Sequence, residues 1–239
     1  MTMLNMRLIR PRILIDIKNI NMMNNITVTD EGLLIGANVT QQELLEYKDL
    51  SSTSPLLYKV LPWVGHYQTR TKGTICGSIA HADPSSEIPL CFAILKGKIK
   101  LRSMKQTRVI EAREFQTGML STACKPYEII ESVIFPTLDS KVGVAFNEFS
   151  FRKGDFSLLS VAVIYKKDSI IIGITGMTDK PYIVVFPILS NKEIEDALND
   201  VAWKLKGIDD HISSARYKRD LLRKIGKLTV EEAYTCQKS

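Results

Sequence analysis

Apolar positions fall in short, irregular blocks through the first 138 residues and in longer, more regular ones after them. In the first stretch, Ile13-Leu14-Ile15-Asp16-Ile17 reads as a buried strand. Residues 26–28 and 33–35 flank Asp30-Glu31-Gly32, the signal of a hairpin. Thr40 with Glu43 makes a capping box, which predicts a short helix through Lys48. Ser54-Pro55 opens another helix, with Leu56, Leu57, Val60 and Leu61 on its buried side. Residues 90–95 read as a buried helix stopped by Gly97. Residues 98–102 alternate, with Ile99 and Leu101 on one face, and residues 127–135 form a further strand ended by Pro136.

Leu138-Asp139-Ser140-Lys141 is polar and separates two patterns, so it is the expected boundary between a domain over 1–138 and another over 142–239. Beyond it, strands are expected at 144–151, 158–165, 170–175 and 182–186. Asn191 is placed to cap a helix carrying Ile194, Ala197, Leu198, Val201 and Leu205 at a spacing near 3.6. Another helix covers roughly 213–224, and Thr229 with Glu232 forms a capping box for a separate terminal helix. Strands followed by helices give a small antiparallel sheet covered by helices. The first part mixes both without regular alternation, so the fold class is α+β.

Composition narrows the function classes. The chain has 239 residues, 45% of them hydrophobic, which suffices for a sizeable core. No apolar run reaches the ~18 residues of a membrane span, and the N-terminus lacks a signal-peptide pattern, so a cytoplasmic protein is expected. The net charge of +6 suits an anionic cofactor or an acidic partner surface. Its cations are scattered and no nucleic-acid motif accompanies them, so nucleic acid is not an expected partner. Cys76, Cys91, Cys124 and Cys236 form no Cys-x-x-Cys pair, and His66, His81 and His211 are dispersed. A metal or iron–sulfur site within the chain is therefore not expected.

The candidate chemistry lies in residues 70–89, Arg-Thr-Lys-Gly-Thr-Ile-Cys-Gly-Ser-Ile-Ala-His-Ala-Asp-Pro-Ser-Ser-Glu-Ile-Pro. Glycine lets the backbone turn tightly and approach a ligand, and successive N–H groups in such a turn suit phosphate oxygens. Arg70 and Lys72 add positive charge, while Asp83 and Glu87 can accept hydrogen bonds from ribose or ring N–H groups. The spacing is neither the dinucleotide fingerprint nor a P-loop. An ordinary glycine turn between strands is the competing reading.

This run resembles the second flavin loop of the FAD-binding medium subunits of molybdenum hydroxylases, of the carbon monoxide dehydrogenase and xanthine dehydrogenase type. The family pattern is Arg-Asn-x-Gly-Thr-Ile-Gly-Gly-Ser, then Ala-His-Ala-Asp-Pro, a small pair, an acid and Pro. Residues 3–11 resemble the family's Met-Asn-x-Arg-Leu-x-x-Pro stretch, Gly65-His66 with Gln68, Thr69 and Arg70 the approach to the loop, Arg152-Lys153-Gly154-Asp155-Phe156-Ser157 its Arg-x-Gly-Asp-Phe-Ala, and Ser214-Ala215-Arg216-Tyr217-Lys218-Arg219 its C-terminal Ser-Ala-x-Tyr-Arg. The motifs span nearly the whole chain in order.

The resemblance implies an FAD-binding PCMH-type (vanillyl-alcohol-oxidase-like) domain followed by the small helix-covered sheet. It implies FAD as this chain's cofactor, a large molybdenum–pterin subunit and a small subunit with 2Fe–2S clusters as partners, and transfer of electrons from those clusters through FAD to an external acceptor. A catabolic dehydrogenase of N-heterocycles or ketones, such as those of nicotine breakdown, is the setting it suggests. Thr74, Ile75, Cys76, Gly77 and Ser78 would face the FAD phosphates and ribityl chain, and Glu87 would contact FAD. Asp83 is a weaker candidate, equally explained as a turn residue. Ile134 and Phe135 would form an apolar wall near the flavin ring, or plain core; Asp155 would lie near the flavin, or simply make a hairpin turn. No catalytic nucleophile–base pair is expected.

Two departures bear on this. Cys76 replaces a family glycine, a strained choice if that residue needs a positive φ. The family's opening segment, ending Ala-Gly-Gly-x-Ser-Leu, has no counterpart here, so the expected domain lacks its usual N-terminal part: either the start lies upstream, or flavin is held by half of the usual phosphate cradle. A flavin-free structural subunit of the same kind of complex is the alternative reading, and a stand-alone flavin oxidase a further one.

Overall fold

A computed structural model describes residues 4, 6–139, 141–207, 209–210 and 212–238. Part of the 3–11 motif, Ser140 of the expected boundary and His211 lie outside the described residues.

The first sheet is built from β1 (Ile26–Thr29), β2 (Gly32–Gly36), β3 (Lys98–Arg102), β4 (Thr107–Glu111) and β7 (Ile129–Phe135), in the order β1-β2-β7-β3-β4, antiparallel throughout. The β1–β2 hairpin turns at Gly32, whose φ of +133° side chains rarely adopt. Helices α1 (Gln41–Leu45), α2 (Leu50–Thr53), α3 (Pro55–Val60), α4 (Tyr67–Arg70), α5 (Ile75–His81) and α6 (Glu87–Ile94) separate β2 from β3. A short α7 (Ala112–Phe115) and a small ribbon, β5 (Gln116–Gly118) with β6 (Ser121–Thr122), follow β4.

The second sheet, in the order β11-β10-β9-β8, contains β8 (Gly143–Phe149), β9 (Leu159–Tyr165), β10 (Ser169–Thr175) and β11 (Tyr182–Pro187), each antiparallel to the next. Two helices, α8 (Asn191–Leu205) and α9 (Ala215–Lys238), close one face. All seven residues of β9 are buried, which requires cover on both faces. Val161, Val163 and Tyr165 join the core under α8 and α9, whereas Ala162 and Ile164 join the core of the first sheet. The opposite cover is α6, apolar almost all round, with seven of its eight residues buried. Gly173 in β10 admits it closely, since a Cβ there would lie 2.8 Å from Leu90 Cδ1.

The architecture is the expected α+β one, and three local expectations change. Residues 13–15 are 69–82% exposed and form no strand: among the described residues nothing pairs with them, and the segment is tied at its end, where Ile17 packs against the core and its carbonyl accepts from the Asn38 amide at 2.8 Å. The cap of α8 is Ser190, whose Glu193 completes a capping box, so Asn191 is already helical. Thr229 caps nothing. It is fully buried inside α9 and donates its hydroxyl to the Ile225 carbonyl at 2.6 Å, which lets one helix run through both expected segments.

The Ser-Ala-Arg-Tyr motif opens α9. The Tyr217 ring meets Phe149 of β8 edge-on at 6.1 Å. The buried Lys218 ammonium donates to Asp210 Oδ2 at 2.8 Å, and Asp210 Oδ1 accepts from the Ile212 and Ser213 amides. The lysine's hydrogen bond holds the Asp210 carboxyl well below the usual range. Removing one partner of a buried pair costs several kcal/mol; Asp210 is one-third exposed, so Asp210→Ala is expected to cost about 2 kcal/mol in chemical denaturation.

Candidate functional site

The glycine-bearing segment folds as a capped helical turn. Thr74, extended, is the N-cap of α5, and its Oγ1 accepts the Gly77 N–H at 2.9 Å. Ile75 and Cys76 then turn inward, 0% and 3% exposed. Cys76 sits in regular helix, without a positive φ, and its thiol points to the Ile35 carbonyl. Burial pushes that thiol far above its ordinary value. The cysteine therefore adds core volume and no backbone strain. Gly77, Ala80 and His81 are exposed and Ser78 is half-buried, so the outward face of α5 is made of backbone and small side chains.

Arg70 braces this segment: its guanidinium donates to the Val64 and Gly65 carbonyls at 3.2 and 3.1 Å and to Gln42 Oε1 at 3.2 Å. Gln41 is 5% exposed, and its Oε1 has no hydrogen-bond partner. That oxygen lies against Gly73, 3.1 Å from where a Cβ would stand.

At the far end of α5, Ala82 adopts a left-handed conformation, φ +53°. Asp83 Oδ1 then accepts the Ser85 N–H at 2.8 Å, the turn its position before Pro84 suggests. This turn is stitched to the second sheet. Ser157 Oγ donates to the Ser85 carbonyl at 3.1 Å, Ser160 Oγ to Ser157 Oγ at 2.7 Å, and the Gly176 N–H to the Pro84 carbonyl at 3.3 Å.

Glu87, at the first position of α6, is 7% exposed and faces Glu148 of β8. Burial pushes the Glu87 carboxyl up to about 7, against its own backbone N–H and with help from Asp83. Burial pushes Glu148 up to about 8; the Glu87 charge adds to this, and a hydrogen bond with Ser160 opposes it. Glu148 Oε2 is buried without a partner. Burial thus raises both acids toward neutral pH.

Asp155 lies exposed in the turn after β8 and donates its N–H to the Arg152 carbonyl at 3.0 Å. Neighbouring Gly154, φ +89°, receives the His66 ring so closely that a Cβ would fall 2.5 Å from it. Phe135 is fully buried, edge-on to Phe92 at 5.4 Å, and Ile134 is half-buried on the other face of β7, the strand beside α5. The structure thus groups Thr74, Gly77 and Ser78 on one surface, brings Glu87 into electrostatic reach of Asp83 and of Glu148, and sets Gly154, the neighbour of Asp155, against His66. Sequence reasoning missed Gln41 and Glu148. A signal for the second existed: Glu148 shares its register with the buried Val144 and Phe146.

Both acids are raised from an ordinary value of 4.5. Their stabilising contribution is therefore complete below that value and is lost as pH rises through about 7 to 8. Glu148→Gln is expected to flatten the pH dependence of unfolding and, above both values, to stabilise the chain by about 2 kcal/mol, discounted for the partial exposure of Glu148. Urea titrations across this range check it, and an unchanged slope counts against the assignment.

Among the described residues, no group of three or more His, Cys, Asp or Glu could hold a metal ion, and no helix is long and apolar enough to cross a membrane. The donor set instead fits a phosphorylated, hydroxyl-bearing group. Gly77 leaves the α5 backbone uncovered, Arg70 stands a few residues before it, and the buried Gln41 oxygen beside Gly73 has no hydrogen-bond partner.

The capped glycine turn sits on an antiparallel α+β scaffold, outside the Rossmann and P-loop classes. Residues 1–138 match the family described as "FAD binding domain in molybdopterin dehydrogenase", and the chain belongs to it. It is similar to the alpha subunit of the 6-hydroxypseudooxynicotine dehydrogenase complex of Paenarthrobacter nicotinovorans, 30% identical over 97% of this chain and 82% of the relative. It is also similar to the glyceraldehyde dehydrogenase medium chain of Sulfolobus acidocaldarius, 29% identical over 92% and 83%. In fold it resembles quinoline 2-oxidoreductase from Pseudomonas putida 86 (TM-score 0.92, 24% identity, 99% and 87% covered) and carbon monoxide dehydrogenase from Hydrogenophaga pseudoflava (TM-score 0.92, 21% identity, 98% and 86% covered). The chain is an oxidoreductase component, an FAD-binding medium subunit of the molybdenum hydroxylase type.

Proposed function

We propose that this chain is the electron-transferring flavoprotein subunit of a heterotrimeric molybdenum hydroxylase, working in the cytoplasm. It would sit with a small subunit carrying 2Fe–2S clusters and a large subunit whose molybdenum–pterin centre oxidises the organic substrate. FAD, when bound, would supply a redox centre able to take electrons from the clusters and pass them to an external acceptor. The multi-subunit setting is supported by the relatives, one named as a complex subunit and another as a medium chain.

The observation that carries the reading is the outward face of α5. Thr74 ties back the first turn through the Gly77 amide, and Gly77 keeps the backbone open. In this reading Thr74, Gly77 and Ser78 offer backbone and hydroxyl groups to phosphate and ribityl oxygens, while Ile75 and Cys76 contribute main chain and anchor the turn in the core. Glu87 and Asp83 orient hydroxyl or ring N–H groups, with Glu148 holding a proton behind Glu87. Asp155 borders the site beside His66, Ile134 lends an apolar edge, and Phe135 supports it from within. Residues 1–138 would form the flavin domain and 142–239 the C-terminal one. Cys76, which favoured a flavin-free subunit, turns into the core and leaves this face unchanged.

The test is the flavin content of the chain co-purified with its partner subunits. A visible flavin spectrum and one FAD released per chain on denaturation are expected, with bleaching of that spectrum when organic substrate is added. An active complex without flavin would overturn the reading in favour of a structural subunit.

A further inference from the structure

A cavity of about 220 Å³ lies between α6, α7 and the turn leading into β11. Its lining is mostly apolar, with Ile79, Phe92, Phe115 and Ile183 as the large side chains. Its charged lining residues are both cations, Arg113 from α7 and Lys180 from the turn before β11. None of the residues assigned to the flavin site lines it.

We propose that this cavity is a second binding site, for a small aromatic carboxylate, and that the bound anion clamps the first sheet to the second. The volume suits one ring with one short substituent and is far too small for a dinucleotide. Two aromatic side chains in the wall favour a flat ring, which they can meet edge-on. The two cations call for an anionic group at the mouth. Glu111 engages the Arg113 Nε at 2.8 Å, and the ligand carboxylate would take the Nη edge of the guanidinium. Lys180 has no acidic partner among the described residues and would approach from the other sheet. Each cation is exposed and unremarkable by itself; what selects the ligand is that both line one apolar cavity.

The same wall reaches toward the flavin segment. Gln116, which lines the cavity, donates its Nε2 to the Ala82 carbonyl at 2.9 Å, and the Leu120 N–H donates to that oxygen at 3.0 Å. These bonds hold the left-handed turn between α5 and Asp83. Occupancy of the cavity therefore stiffens the turn that leads to Glu87, without the ligand touching FAD.

The probe is benzoate, with benzamide as its neutral counterpart, titrated calorimetrically into the full chain and followed by thermal unfolding. Benzoate is expected to bind saturably and raise the unfolding temperature, with benzamide at least tenfold weaker. Arg113→Ala combined with Lys180→Ala should weaken benzoate about tenfold and leave benzamide unchanged. Ala93→Phe, which fills the cavity, should remove both. Loading with FAD beforehand should leave the benzoate isotherm unchanged. Equal affinities for the two probes, or no saturable benzoate binding to the native chain, would overturn the proposal. Displacement of benzoate by FAD would also overturn it, assigning the cavity to the flavin instead.

Discussion

Gly77→Val is expected to empty the subunit of flavin while leaving it folded. Gly77 lies in regular helix without a positive φ, so an L side chain meets no backbone strain there. A Cβ would stand 2.8 Å from Thr74 Oγ1, close enough to disturb the cap. Losing such a cap costs about 1 kcal/mol, which a domain of this size survives. The valine methyls would instead occupy the outward face of α5, where phosphate oxygens must approach the backbone. A loss of FAD affinity of about a hundredfold, roughly 2.7 kcal/mol, is expected. The flavin-to-protein ratio after purification measures it, with far-UV circular dichroism as the control for folding. Full flavin in the variant would show that α5 does not cradle the cofactor.

Gly143→Val is expected to have the largest effect on stability. Gly143 opens β8 beneath α9, and a Cβ there would lie 1.9 Å from the Ala233 carbonyl. That obstacle is helix backbone, which cannot rotate away as a side chain does. The variant must lift α9, 24 residues long, from a sheet that it covers together with α8. Overpacking of this kind costs about 1–3 kcal/mol where side chains can adjust; here more than 4 kcal/mol is expected. Urea denaturation of the full chain would read it as a lowered midpoint. A midpoint within about 1 kcal/mol of the wild type would mean that α9 is not seated on β8.

Much of this architecture was legible because the local signals agree with the tertiary context. The second sheet announces itself through β9, apolar except for Ser160, and through β10, whose Ile170, Ile171, Ile172 and Ile174 leave little choice but a buried strand. What remained hidden was which neighbour covers each face. The apolar run of α6 says that the helix is buried, but not that it serves two sheets. Residues 13–17 carry the same apolar signature as a strand, yet a strand also needs a hydrogen-bonding neighbour, which composition cannot supply. Thr229 and Glu232 satisfy the spacing of a capping box, but burying Val230 and Ala233 on the sheet favours an unbroken helix.

The candidate site was legible in part. The glycine segment stood out through its order of small and polar residues, and the capping role of Thr74 follows from its place before a helical turn. That Ile75 and Cys76 turn away from the outward face depends on the phase of α5, which a seven-residue helix does not reveal by periodicity. Gln41 and Glu148 come from elements distant in sequence from the residues they meet. Their significance lies in a buried oxygen without a hydrogen-bond partner, which leaves no mark in the chain itself.

The dual burial of α6 also bears on how the chain is born. Translation delivers the first sheet and helices α1 to α7 before any strand of the second sheet. Until β9 and β10 have left the ribosome, Leu90 and Ile94 face water on the side that Gly173 will later accept. The nascent chain therefore carries an adhesive strip through the synthesis of some eighty further residues, several seconds at ordinary elongation rates. A holdase chaperone that recognises apolar helices would find its window there, and slow codons between the two halves would prolong it.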